Sequence, residues 1–250
     1  MEELFGELLE SIVDNDIERF KSIFEQGKGK WLQSDGDKAL IWSAKSYCNT
    51  EIMETLLKAG ADAKSSNNFA LMNATQKGSY EATKLLLEYG ADPNSRNGEA
   101  LQRAVYQSNK EMFNLLESFG ADIHHDNDGL LSYATHRNDH VMMKFLHEKG
   151  LDVHADNCKA LKTVFSGINV FIDSNGTEQQ DQDTQKTIET LIVDCKLKID
   201  PKTQEWIDAQ GDDFLSNTIK KTVLYAKLDQ KHPPRQAQSN KKSKSFSMKI

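Results

Sequence analysis

Glycine recurs every 30 residues through the middle of this 250-residue chain, at Gly60, Gly90, Gly120 and Gly150. Other columns keep the same step. An acid stands at Asp62, Asp92, Asp122 and Asp152, and an amide at Asn67, Asn97, Asn127 and Asn157. An inner apolar position reads Ile41, Leu71, Leu101, Leu131 and Leu161, and three places on stand Ala44, Ala74, Ala104 and Ala134, with Val164 next. A further column gives Leu56, Leu86, Leu116 and Leu146. One period shared by so many independent columns marks a repeat array, and it constrains the fold more than any local propensity.

The columns also define the unit. Leu71 and Ala74 are three apart and share one face of a short helix, where alanine lets neighbouring helices approach closely. A second helix is expected over about 80–88, with Ala82, Leu85 and Leu86 on its buried face. Gly90 stops it, since glycine takes the left-handed conformation at a helix end without a Cβ penalty. Asp92 and Asn97 suit the turn and the next helix start, because their side chains bond nearby backbone N–H groups. Each unit reads as helix, tight turn, helix and polar hairpin-like loop. It holds too little apolar surface to fold alone and must stack on its neighbours.

The columns resemble the ankyrin repeat, most clearly in "GADPN" followed by "ALQRA" in residues 90–104. The resemblance covers about residues 37–165, and weaker copies flank it. Two features depart from the family pattern. The unit is 30 residues where about 33 is usual, so the projecting loop is shortened. The usual Thr-Pro-Leu-His start is replaced by Ala39-Leu40-Ile41-Trp42, Phe69-Ala70-Leu71-Met72 and Glu99-Ala100-Leu101-Gln102. The fold expected is an all-α solenoid of stacked helix-turn-helix units with short loops.

The organisation implied by the columns has five parts. Residues 1–36 form an N-terminal capping repeat. Its first helix carries Leu8, Ile12 and Val13; its second carries Ile17, Phe20, Ile23 and Phe24 and stops at Gly27. The loop after it, with Trp31, is three residues longer than the later ones. Residues 37–157 hold four regular repeats. Residues 158–202 hold a degenerate repeat interrupted by an acidic, glutamine-rich insertion at 167–185. Residues 203–228 supply two capping helices, with Trp206 and Ile207 on one and Phe214, Leu215, Ile219, Val223 and Leu224 on the other. Residues 229–250 form a polar tail with no apolar period, expected to be disordered.

Charge divides the chain unequally. From Asp229 onward the net charge is +5, which leaves −12 on the rest of a molecule whose total is −7. The acidic start "MEELFGELLE" lacks the basic region and apolar run of a signal peptide, and no apolar stretch is long enough to span a bilayer. Three cysteines, Cys48, Cys158 and Cys195, at irregular spacing suit free thiols in a reducing, cytoplasmic compartment.

Catalytic signatures are missing from the sequence. There is no P-loop, no Gly-x-Ser-x-Gly and no Cys-x-x-Cys. His124, His125, His136, His140, His147 and His154 cluster near Cys158. His124 and His154, however, occupy one repeat column, and stacked units lie about 10 Å apart, too far to share a metal. Glu51, Glu81 and Glu111 also form a column, at the start of the second helix, where they oppose the helix dipole's positive end. Asp173, Glu178, Asp181 and Asp183 sit in a flexible insertion with nothing to pre-order a cation site. No cofactor, metal or catalytic residue is expected.

Function is therefore sought on the surface. The resemblance implies that a protein partner docks on the concave face built by first helices and loops. Aligned on the Ala-Leu-x-x-Ala columns, the implied contact positions are Ser46 and Tyr47, Gln76 and Lys77, Tyr106 and Gln107, and His136 and Arg137. Lys38, Asn68 and Asp128 are the loop-side candidates. Trp42 and Tyr133 are expected to be half-buried packing residues and Tyr106 to be exposed. Tyr and Arg are favoured as binding anchors. The shortened unit resembles repeats of large DNA viruses, phages and intracellular bacteria, which implies a host-interaction factor or effector acting in the host cytosol. The alternative is attachment of the basic tail to nucleic acid or an anionic surface, which would be weak and salt-sensitive. Nucleic acid is the less expected partner, because Phe246 is the tail's only aromatic residue and the acidic rod repels phosphate.

Overall fold

The computed structural model describes residues 2–125, 129–168, 184–210 and 213–231. Fourteen helical segments, and no strands, occur among the described residues. They alternate between two rows. The first row holds α1 (Glu2–Val13), α3 (Gln33–Lys45), α5 (Ser65–Lys77), α7 (Ser95–Tyr106), α9 (Leu130–His136) and α11 (Ala155–Ile168). The second holds α2 (Ile17–Gln26), α4 (Thr50–Lys58), α6 (Tyr80–Glu88), α8 (Lys110–Ser118), α10 (His140–Glu148) and α12 (184–194). The pair α13 (Pro201–Ala209) and α14 (Asp213–Lys231) comes last. From α1 to α9, each first-row helix packs on its own second-row partner and on its first-row neighbours. The result is an all-α solenoid of stacked helix-turn-helix units, as the period requires.

The core runs the length of the stack. Leu71, Leu101, Leu131 and Leu161 are buried, Ala44, Ala74, Ala104 and Ala134 are wholly inaccessible, and so are the leucines at 86, 116 and 146. The first repeat departs by one residue. Leu40 is fully buried, while Ile41 only packs partly against the core.

Two turns per unit set the geometry. Between the two helices of a unit, one residue is left-handed, at Asn15, Cys48, Gly78, Ser108 and Asn138 (φ 52–71°). The next residue caps the second helix. Asp16, Asn49, Ser79, Asn109 and Asp139 each accept a hydrogen bond from backbone N–H groups in the first turn, which satisfies donors the helix itself leaves orphaned. After the second helix, Gly60, Gly90, Gly120 and Gly150 are left-handed (φ 88–101°). There Ala61 N–H donates to Leu56 O at 3.0 Å and Gly60 N–H to Leu57 O at 3.0 Å, with equivalents in the other units. This is the paired closure of a Schellman turn. Asp62, Asp92, Asp122 and Asp152 then accept from the N–H two residues on, at 2.9–3.0 Å.

The connection to the next first helix is not the hairpin-like loop expected. It is a left-handed turn of three residues, Ser66-Asn67-Asn68 in one unit and Arg96-Asn97-Gly98 in the next, with every φ between 52° and 69°. Its closing bonds run from Asn68 N–H to Lys64 O and from Gly98 N–H to Asn94 O. Asn and Gly enter this region at least cost. The turn does the work of a longer hairpin in fewer residues, which fits a 30-residue unit. It also corrects one expectation. Asn68 is not an exposed loop residue but only 5% exposed, and its Oδ1 accepts from Asp92 N–H of the next unit at 2.7 Å. Asp37 and Asn94 hold the neighbouring loop in the same way.

The ends differ from the middle. Gly27 is not left-handed (φ −88°). A Cβ there would lie 2.2 Å from the Trp31 ring, so close approach rather than turn geometry requires glycine. The longer loop folds Trp31 back so that it stacks on Phe24 and donates its Nε1–H to Phe24 O at 3.0 Å. In the fifth unit, Leu191 to Leu197 spans one residue more than Leu146 to Leu151, and α12 absorbs it as a π turn, Thr190–Asp194. Lys196 (φ 60°) takes the place of the left-handed glycine. Phe165 meets Trp206 edge-on at 5.0 Å, which seats α13 on α11, and α14 packs against the π turn. α14 runs to Lys231, into the stretch read as tail. Asn127, Asp128, most of the 167–185 insertion, the side chains of Phe214 and Leu215, and residues 232–250 lie outside the described residues.

Candidate partner-binding face

The eight positions singled out in the sequence sit where each first helix ends. Gln76 and Lys77 close α5, Tyr106 and Gln107 close α7, and His136 and Arg137 close α9; Ser46 and Tyr47 come directly after α3. The left-handed residue after each pair reverses the chain, so the pairs fall in register along one edge of the first row. All are exposed except Ser46, which is half-buried; Tyr47 is 66% exposed and Tyr106 47%.

Contacts between neighbouring units fix two of these pairs. The Arg137 guanidinium lies over the Tyr106 ring at 4.5 Å. The Gln107 amide donates to Gln76 O at 2.7 Å. Tyr106 is therefore presented with restricted motion, which lowers the ordering cost of any contact it makes. The cation stacked on it adds about 0.5–1 kcal/mol at an exposed site.

Two aromatic residues read as packing belong to this face. Trp42 is 39% exposed with Lys45 Nζ at 4.7 Å from its ring. Tyr133 is 37% exposed and donates its OH to Gln102 Oε1 at 3.1 Å. Arg103 and Gln102 each precede Tyr106 by about one turn of α7 and so flank it. It pairs with Glu99 at 3.0 Å, and Arg96 binds the other oxygen of that carboxylate at 2.7 Å. Hydrogen bonds from Arg96, and then from Arg103, hold the Glu99 carboxyl below its usual range. The signal for these residues was in the sequence, since Trp42 precedes Ser46 by one helical turn and Tyr133 precedes His136 and Arg137 by the same step. Of the loop-side candidates, Lys38 is exposed and Asn68 is committed to the next unit.

Other reactive side chains have structural occupations. His154 takes Asp152 Oδ1 on its Nδ1 side at 3.0 Å and accepts Lys198 N–H on Nε2 at 2.9 Å, so the ring ties the fourth loop to the fifth. His125 bonds Asn97 Oδ1 across units at 2.7 Å. The three cysteines are buried and unbridged. Burial pushes all three thiols up, Cys195 to about 11, so they stay protonated and poorly nucleophilic at neutral pH. Among the described residues, no three His, Cys, Asp or Glu side chains gather as a metal site, and no helix is long and apolar enough to cross a membrane.

Residues 8–97 match a family-wide sequence pattern described as ankyrin repeats, in three copies. No curated protein matches the chain.

Proposed function

Residues 8–97 are ankyrin repeats, and from that premise we propose that the chain is a non-enzymatic scaffold that holds a protein partner on the first-row face. Ankyrin repeats generally serve protein–protein interaction. The observation that carries the reading is the Tyr106–Arg137 stack at 4.5 Å, an exposed aromatic and a cation locked together across two units. Trp42 with Lys45, Tyr133, and Lys77 extend the same mixture of aromatic and positive groups along the face of a chain whose net charge is −7. The partner surface that suits it is acidic with apolar patches. The three buried free thiols suit a reducing compartment such as the cytoplasm, including the cytosol of a host cell if the protein is an effector.

The test is capture from a cytosolic lysate with wild type and a Tyr106→Ala, His136→Ala, Arg137→Ala triple variant. These side chains are exposed, so the variant is expected to stay folded, to melt within a few degrees of wild type and to lose the partner. A partner kept by the variant but lost on deleting residues 232–250 would move the function to the basic tail. His136→Ala alone is expected to weaken capture with stability unchanged; an unfolded His136→Ala protein would show that the face is assigned wrongly.

A further inference from the structure

A cavity of about 340 Å³ opens between the N-terminal capping unit, α1 and α2, and the unit of α3 and α4, away from the Tyr106–Arg137 face. Its floor is Leu8 and Leu56, both buried core residues, and its wall is Phe24 with Trp31 stacked beside it at 6.3 Å. Gly36 and Gly60 also line it and carry no side chain to fill the space. A Cβ on Gly36 would meet nothing nearer than Ala61 Cβ at 3.5 Å, and one on Gly60 would meet nothing within 4 Å. The cavity arises from the longer first loop, which swings Trp31 back onto Phe24 instead of crossing directly to α3. Leu32 stands at the mouth with two thirds of its surface in water.

The polar groups at the rim are already engaged. Lys28 Nζ pairs with Glu25 at 2.9 Å. Asp35 accepts Leu32 N–H at 3.0 Å, and the Gln33 amide donates to Asp37 and to Gly60 O. An ionised ligand would exchange its hydration for an apolar space whose rim charges, Lys28 and Asp35, already have partners. A neutral one would gain by burial against leucine and flat aromatic walls. The volume lies at the small end of the range of ligand pockets. We propose that this cavity binds a small uncharged hydrophobic molecule, planar and of about the size of two fused rings.

The probe is indole, set against its charged analogues indole-3-acetate and tryptamine, with binding followed by the amide and indole N–H resonances of the ¹⁵N-labelled full chain. Trp31→Phe assigns the Trp31 signal among the three tryptophans. Indole is expected to shift the Trp31 Nε1–H and the Gly36 and Gly60 amides saturably, with a dissociation constant of about 1 mM or tighter, the range that ordinary ligand efficiency gives about nine heavy atoms. Each charged analogue is expected to bind at least about fivefold more weakly. Gly36→Leu fills the space from a right-handed helical position and favours the helix, so this variant is expected to melt no lower than wild type and to lose indole binding. Shifts spread equally over Trp42 and Trp206, indole binding retained by Gly36→Leu, or charged analogues as tight as indole would each overturn the proposal.

Discussion

At the scale of single residues, the strained positions are the left-handed ones, and they can be tested without touching the core. Gly98 closes the triplet after Arg96 and Asn97 at φ 69°. A Cβ there would meet His125 Cδ2 at 3.7 Å, an ordinary contact, so space is not the obstacle. Gly98→Ala is therefore expected to destabilise by about 1–2 kcal/mol from conformation alone. Ser66, exposed and left-handed at φ 52°, is the converse case. Ser66→Gly removes that strain but loosens the unfolded chain, and a net gain of about 0.5–1 kcal/mol is expected. Urea unfolding of both variants measures the pair, and equal effects of the same sign would contradict the left-handed turn. The amide column at Asn67 and Asn97 pointed to a turn here but not to its form. One asparagine per unit is compatible with a hairpin or a triplet, and its neighbours Ser66 and Arg96 give no sign of positive φ. Asn68 misled for a related reason: a polar side chain in a loop reads as solvated until the next unit's backbone is placed against it.

At the scale of elements, capped ends link helix stability to pH. Asp200 caps α13 through Thr203 N–H, and Asp152 accepts from His154 N–H. These backbone bonds hold both carboxyls below their ordinary value of 3.8. A carboxyl lowered by folding contributes stability that is complete above its unfolded value and is lost as pH falls through the folded one. The acid limb of the melting-temperature profile, below about pH 4, is thus expected to be shallower in Asp200→Asn, which keeps the cap without the titration. An unchanged slope would mean that this cap does not report on unfolding. The second-helix boundaries were legible, because caps and glycines bracket them: the helix expected over 80–88 is Tyr80–Glu88. The links across the candidate face were legible in principle as well. Gln76 with Gln107, Gln102 with Tyr133, and Tyr106 with Arg137 are each 31 residues apart. Neighbouring first helices thus meet one period plus one residue along the chain, an offset that the repeat columns alone do not reveal. The π turn of α12 was hidden too, since it answers to a single extra residue beyond an insertion that had already broken the count.

At the scale of the whole molecule, stability comes from neighbours, because no unit closes a core by itself. Leu101 illustrates the consequence. It is 2% exposed in α7, which packs on α5 before it and α9 after it. Leu101→Ala removes buried methyl groups from a close-packed site, at an expected cost of about 2–5 kcal/mol. In a compact domain that loss would be shared by every element. In a stack it weakens two interfaces first, so hydrogen exchange is expected to quicken in α5, α7 and α9 while α1 and α2 change least. Leu131→Ala moves the same disturbance one unit along, towards α7, α9 and α11. If both variants instead speed exchange equally from α1 to α14, the solenoid unfolds as one cooperative body, and the interfaces between units are then stronger than the units themselves. The localised pattern would carry a functional consequence: a partner spanning Tyr47 to Arg137 touches four successive units, so its binding would stiffen the middle of the stack against the very substitutions that loosen it.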